Sequence, residues 1–171
     1  VISINQNILP TYYCIKLNNH LLGRYAKIVQ ELGLVPIVEP EILMDGDHSI
    51  EKCLEVTSKT LKSLFEELDF QNVYLQGILL KPNMVISGSN SKTQASDQQV
   101  ADLTVNCLKE NVPADVPGIV FLSGGQSNEL ATQHLNLMNK RKDLPFKLSF
   151  SYGRALQQPA ISEWKGLDEN I

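Results

Sequence analysis

Short, nearly unbroken apolar runs alternate along this chain with longer segments in which apolar residues recur every three to four positions. That rhythm leaves few folds open. The apolar runs fall at residues 34–38, 73–80, 118–122 and 147–150. A strand that is apolar on both faces must be covered on both faces, and strands separated by helices pair in parallel. Between the runs, Leu17, Leu21, Tyr25, Ile28 and Leu32 mark a first helix that ends at Gly33. Asp47 or Ser49 caps a second, with a stripe through Ile50, Cys53, Leu54, Leu61, Leu64, Phe65 and Leu68. Ser96 and Gln99 have capping-box spacing ahead of Val100, Leu103, Cys107 and Leu108. A fourth helix covers 128–139, and a short helical stretch ends near Trp164. Residues 87–96 read as a polar loop, long enough to be mobile or to act as a flap.

At 171 residues with 43% hydrophobic and 20% charged content, the chain fits one globular domain. Its net charge of -4, its 6% aromatic content and its lack of a basic cluster argue against nucleic-acid or polybasic membrane binding. Cys14, Cys53 and Cys107 are odd in number and form no C-x-x-C pair, which favours reduced thiols and a cytoplasmic setting. No signal peptide is recognisable, and the apolar runs are too short to span a bilayer. The chain starts at Val1 rather than Met, so a piece of a longer protein is expected.

Polar residues recur where each strand ends: Glu39 and Glu41 after the first, Lys81 after the second, Ser123, Gly124 and Gly125 after the third, Ser151, Gly153 and Arg154 after the fourth. In parallel α/β folds these ends share one rim, where active sites are built. Lys81 follows Leu79 and Leu80. An ammonium seated against apolar side chains is driven toward the neutral amine, which can condense with a ketone. The alternative is a lysine whose head reaches water. Glu39 is a candidate to shuttle the protons of that condensation, against the plainer reading of Glu-Pro-Glu as a solvated loop. Ser123 and Gly124 suit an anion, because glycine lets amide N–H groups approach it and the next helix N-terminus adds partial positive charge. Arg154 offers a bidentate phosphate contact, and barrels often hold phosphate at their last two strand ends. His20, His48 and His134 lack metal-ligand spacing, and the Asp45-Gly46-Asp47 turn lacks the glutamate of a calcium loop.

Five segments, VPIVEPEIL at 35–43, DGDH at 45–48, LLKPNMV at 79–85, FLSGGQS at 121–127 and FSYGRAL at 150–156, closely resemble class I fructose-1,6-bisphosphate aldolase. The resemblance runs from about Leu9 to Trp164; residues 1–13 fit it poorly and read as a remnant of a preceding strand connection or as altered sequence. It implies an α/β fold of the (β/α)8 TIM-barrel family, here about the last four β/α units as a half barrel in a single partial domain. It also implies reversible cleavage of fructose 1,6-bisphosphate to dihydroxyacetone phosphate and glyceraldehyde 3-phosphate, without metal or cofactor. By the same resemblance Lys81 is the Schiff-base lysine, Glu39 the proton-handling glutamate and Glu41 its active-site neighbour; Ser123, Gly124, Gly153 and Arg154 bind phosphate, and Ser151 lies near the site. Family members are homo-oligomers, tetramers, and carry four further upstream β/α units with a catalytic aspartate and additional lysines, together with a terminal tyrosine. Those parts have no counterpart here, so the isolated chain is expected to be catalytically crippled and its uncovered strand edges to be an aggregation hazard. A non-catalytic interaction or relic protein is the alternative function.

Overall fold

The computed structural model describes residues 1–5 and 8–171. Elements follow in the order α1 (Tyr12–Glu31), β1 (Ile37–Val38), α2 (Ile50–Phe70), β2 (Leu79–Leu80), α3 (Asp97–Asn111), β3 (Gly118–Phe121), α4 (Asn128–Asn139), β4 (Lys147–Phe150) and α5 (Arg154–Trp164). Side-chain caps start the first four helices: Thr11 accepts from Cys14 N, Ser49 from Lys52 N, Ser96 from Gln99 N and Ser127 from Leu130 N. The expected capping box at Ser96 and Gln99 is complete. For α2 the cap is Ser49 and not Asp47.

The strands form one parallel sheet in the order β1-β2-β3-β4. Strand order equal to chain order has no reversal point, so successive crossover helices fall on one face, as in a barrel and unlike a doubly wound sheet. Val38, Leu80, Ile119 and Leu148 are register partners and form one buried row beneath those helices. Around that row lie Leu61, Leu64 and Leu68 of α2, Val105 and Leu108 of α3, and Met138 of α4. The alternate positions face the other way and are less covered: Ile37 is 39% exposed. Here the expected half barrel is realised, with its inner face open.

Three strand and loop expectations change: the first strand is Ile37–Val38 rather than 34–38, with Leu34 and Val35 exposed. Residues 73–80 are not one strand: a 3-10 turn at Leu75–Gly77 interrupts them. Gln30 of α1 holds that turn, donating to the carbonyls of Tyr74 and Gly77 and accepting the Tyr74 N–H. Nor do residues 87–96 hang free. The N–H groups of Gly88, Ser89 and Asn90 donate to the carbonyls of His48, Met44 and Gly46, and Ser87 Oγ accepts Ala95 N–H. A Cβ on Gly88 would collide with the Gly46 carbonyl oxygen, so only glycine permits this contact.

α1 turns its apolar stripe outward, with Leu17, Leu21, Tyr25, Ile28 and Leu32 all 45% or more exposed. It packs through Ile15, Asn19, Gly23 and Ala26. These are mostly small, and a Cβ on Gly23 would lie 3.0 Å from Glu67 Cγ and Gln71 Nε2, so a larger residue there would make those side chains give way. At the N-terminus Ile2 bridges in parallel to Ile42, donating its N–H to Glu41 and accepting that of Leu43. Gln6 and Asn7 of the 1–13 segment lie outside the described residues.

Candidate active site

Backbone hydrogen bonds climb across the C-terminal ends of the strands in steps. Lys81 N–H donates to the Val38 carbonyl at 2.7 Å, Leu122 N–H to that of Pro82 at 3.2 Å, and Ser151 N–H to that of Phe121 at 2.9 Å. The four polar strand ends therefore share one rim. Side chains alternate along a strand, so Glu39 and Lys81, one residue past the buried Val38 and Leu80, turn to the open face. There Lys81 Nζ lies 2.7 Å from Glu39 Oε1. The lysine side chain is 18% exposed and the glutamate 45%. This is not a lysine extended into solvent.

Buried groups fix the pair from behind. Asn83 is buried; its Oδ1 accepts the Ile42 N–H at 3.0 Å and its Nδ2 donates to Thr57 Oγ1 and the Met84 carbonyl. Thr104 Oγ1 accepts the Val85 N–H. Glu41 makes no ion pair with Lys81 among the described residues; together with Glu39, Asn18, Asn19 and Leu22 it lines a small cleft.

At the third strand end Gly124 has φ +63° and Gly125 φ +89°, conformations that L side chains rarely adopt. Among the described residues their N–H groups donate to no carbonyl, and the turn runs into the N-terminus of α4. Ser123 accepts twice at its carbonyl, from Gln126 N–H and from Gln126 Nε2. At the fourth strand end Gly153 caps α5 with open space where a Cβ would be. Arg154 is exposed and, among the described residues, makes no hydrogen bond or ion pair. Ser151 is half-buried beside it. Tyr152 donates its hydroxyl to the Ala131 carbonyl of α4 at 2.9 Å, and burial pushes its pKa up to about 12, so the phenol stays neutral.

An amine touching a carboxylate, on a rim that also carries amides and a guanidinium without partners among the described residues, can form a carbinolamine and hold an anion. The family model for glycolytic class-I fructose-bisphosphate aldolase matches residues 1–171. The chain belongs to that family. It is 58% identical over 164 residues to a probable fructose-bisphosphate aldolase class 1 of Xanthomonas campestris pv. campestris, covering 96% of this chain and 49% of that protein. It is 52% identical over 163 residues to the cytosolic fructose-bisphosphate aldolase 6 of Arabidopsis thaliana, covering 95% and 45%. Among solved structures, Plasmodium falciparum fructose-bisphosphate aldolase, crystallised with TRAP and a small-molecule inhibitor, superposes with a TM-score of 0.96 at 48% identity over 99% of this chain and 49% of that one. The chain spans about half the length of the curated relatives it matches. The aldolase match includes residues 1–13, whose motif fit is poor.

Sequence reasoning does not single out Asn83, Gln126 or His134 as functional. Each is one polar residue among many, and only its burial, with 9% or less of its surface exposed, marks it.

Proposed function

We propose that this chain carries the imine-forming half of a class I fructose-bisphosphate aldolase. The carrying observation is the 2.7 Å contact between Lys81 Nζ and Glu39 Oε1 on the shared rim. Attack on the substrate ketone requires the neutral amine, and the Glu39 carboxylate stands where it can take the ammonium proton. The amine adds to C2 and proton transfer gives the carbinolamine. Glu39, now the acid, returns a proton to the departing hydroxyl; water leaves and the iminium forms. A carboxylate base, a role the family resemblance gives to an aspartate of the upstream units, takes the C4 hydroxyl proton as that oxygen becomes the aldehyde carbonyl; the iminium draws the electrons of the breaking C3–C4 bond, releasing glyceraldehyde 3-phosphate and leaving the enamine of dihydroxyacetone phosphate. Protonation and hydrolysis then free the second product and regenerate Lys81.

In this reading the amides of Ser123 and Gly124, with Gly153 and the Arg154 guanidinium, hold a substrate phosphate. Ser151 lies beside that clamp, and Glu41 supports Glu39 through the shared loop. The enzyme works in the cytoplasm, as the name of the Arabidopsis relative says of that protein. The exposed stripe on α1 supports burial in a homo-oligomer.

Borohydride reduction in the presence of dihydroxyacetone phosphate tests this: mass spectrometry should find the adduct on Lys81 and none in Lys81→Arg. No adduct on folded protein would overturn the enzymatic reading. With its inner face open, the 171-residue chain assayed alone should trap imine but turn over fructose 1,6-bisphosphate slowly; near-normal turnover would refute the latter expectation.

A further inference from the structure

Behind the turn formed by residues 123–125 lies a buried polar chain that the imine chemistry does not use. His134 of α4 is 3% exposed. Its Nδ1 is 2.7 Å from Gln126 Oε1 and its Nε2 is 3.2 Å from Asp97 Oδ1, in the first turn of α3. Gln126 spends its own amide hydrogens on the Ser123 carbonyl at 3.0 Å and on Met84 Sδ at 3.6 Å. Its Oε1 must therefore accept, and His134 Nδ1 must carry the hydrogen.

A neutral His134 then turns a lone pair toward the Asp97 carboxylate, acceptor against acceptor. Only the imidazolium donates on both sides. Protonation thus adds a charge-assisted hydrogen bond that ties α4, Gln126 and the turn to the start of α3. We propose that His134 is a positioning residue for the 123–125 turn, acting through Gln126 and engaged against Asp97 by its own protonation. The proposal deepens the phosphate-clamp reading above and, for its effect on anion binding, rests on it.

The charges around His134 are few. Among the described residues Asp97, which also accepts from Gln133, is the charged group in hydrogen-bond reach of the imidazole; Met84 and Gln126 are uncharged, and Tyr152, packed on α4, keeps its proton. The remaining α3–α4 ion pairs, Arg141 with Asp102 and Lys109 with Asp143, lie past the C-terminal end of α4. Burial lowers the His134 pKa below its usual 6.5 and Asp97 offsets part of that, so the switch lies on the acid side of neutrality.

An NMR titration of the 171-residue protein from about pH 7.5 to 5, across the histidine range, reads the coupling directly. The amides of Gly124 and Gly125 should move with the same midpoint as the His134 ring. Asp97→Asn should lower that midpoint. His134→Gln should keep the neutral-pH shifts of the turn and abolish their titration. Asp97 is partly exposed, so its variant serves if His134→Gln disturbs folding. Sulfate, whose charge is constant over this range, should bind the turn several-fold more tightly at the acid end in the wild type and with no pH dependence in His134→Gln. Glycine amides that stay flat while the ring titrates, or that titrate unchanged in His134→Gln, would overturn the proposal. Sulfate that perturbs neither glycine at any pH, beside an intact coupled titration, would overturn the phosphate clamp and leave the proton coupling standing.

Discussion

Asn83 Oδ1 accepts the Ile42 N–H at 3.0 Å, so one buried amide ties the segment bearing Glu39 and Glu41 to the segment bearing Lys81. Asn83 thereby adds to the Lys81 N–H bond to the Val38 carbonyl in holding those two segments side by side.

Asn83→Ala should therefore act on stability and chemistry together. It strands the buried Ile42 N–H and removes a donor from Thr57 and Met84. Orphaning such groups costs about 2–3 kcal/mol, a fall in Tm of roughly 5–10 °C for a domain of this size. Thermal denaturation and the rate of borohydride trapping at Lys81 should both report it. Trapping at the wild-type rate would mean that Asn83 does not set the spacing.

Glu39→Gln should leave the fold intact, since the side chain is 45% exposed, and slow imine formation by about 100-fold or more. Stopped borohydride time courses separate the two effects. A near wild-type trapping rate would remove Glu39 from proton transfer.

Acid should destabilise this protein before it reaches the carboxylate range. His48 is 6% exposed, neither ring nitrogen is hydrogen-bonded among the described residues, and burial holds its pKa below 6.5, as it does for His134. Each takes up its proton more readily when unfolded, so stability falls as pH drops below about 6.5 toward the folded values. Glu55, lowered to about 2 by hydrogen bonds from Lys52 and Lys59, adds a smaller, solvent-screened loss below 4.5. Tm measured from pH 7 to 5 should decline; a flat or rising profile would contradict the histidine assignment.

Gly88→Ala should cost about 1–3 kcal/mol, because its Cβ meets the Gly46 carbonyl oxygen, a backbone atom that cannot swing aside. Denaturant unfolding checks it. A neutral effect would show that residues 87–96 lift off the 44–48 segment at little cost.

Replacing Leu17, Leu21 and Ile28 with Gln should change stability by less than about 0.5 kcal/mol each, since their side chains already face solvent. Self-association in sedimentation at raised concentration should fall. Unchanged sedimentation would leave the stripe without a role in assembly.

What was legible in the sequence was local. The box at Ser96 and Gln99, and α4 over Asn128–Asn139, need only neighbouring residues to specify them. The break at Leu75–Gly77 depends on Gln30, more than forty residues upstream, and could not be read from residues 73–80. Periodicity found the apolar stripe of α1 but not which side meets α2; close approach through Gly23 and Ala26 decided that, and small residues give no hydrophobic signal. The rim followed from four strand endings in one parallel sheet, whereas Asn83, Gln126 and His134 acquire meaning only from partners distant in sequence.

Both glycine loops of the rim are braced on α4. The turn at 123–125 reaches it through Gln126 and His134, and the loop before Arg154 reaches it through the Tyr152 hydroxyl on Ala131. If α4 shifts, the two walls travel together and the gap between them is conserved. A mouth mounted on a single jaw in this way keeps its opening when the surrounding scaffold trembles.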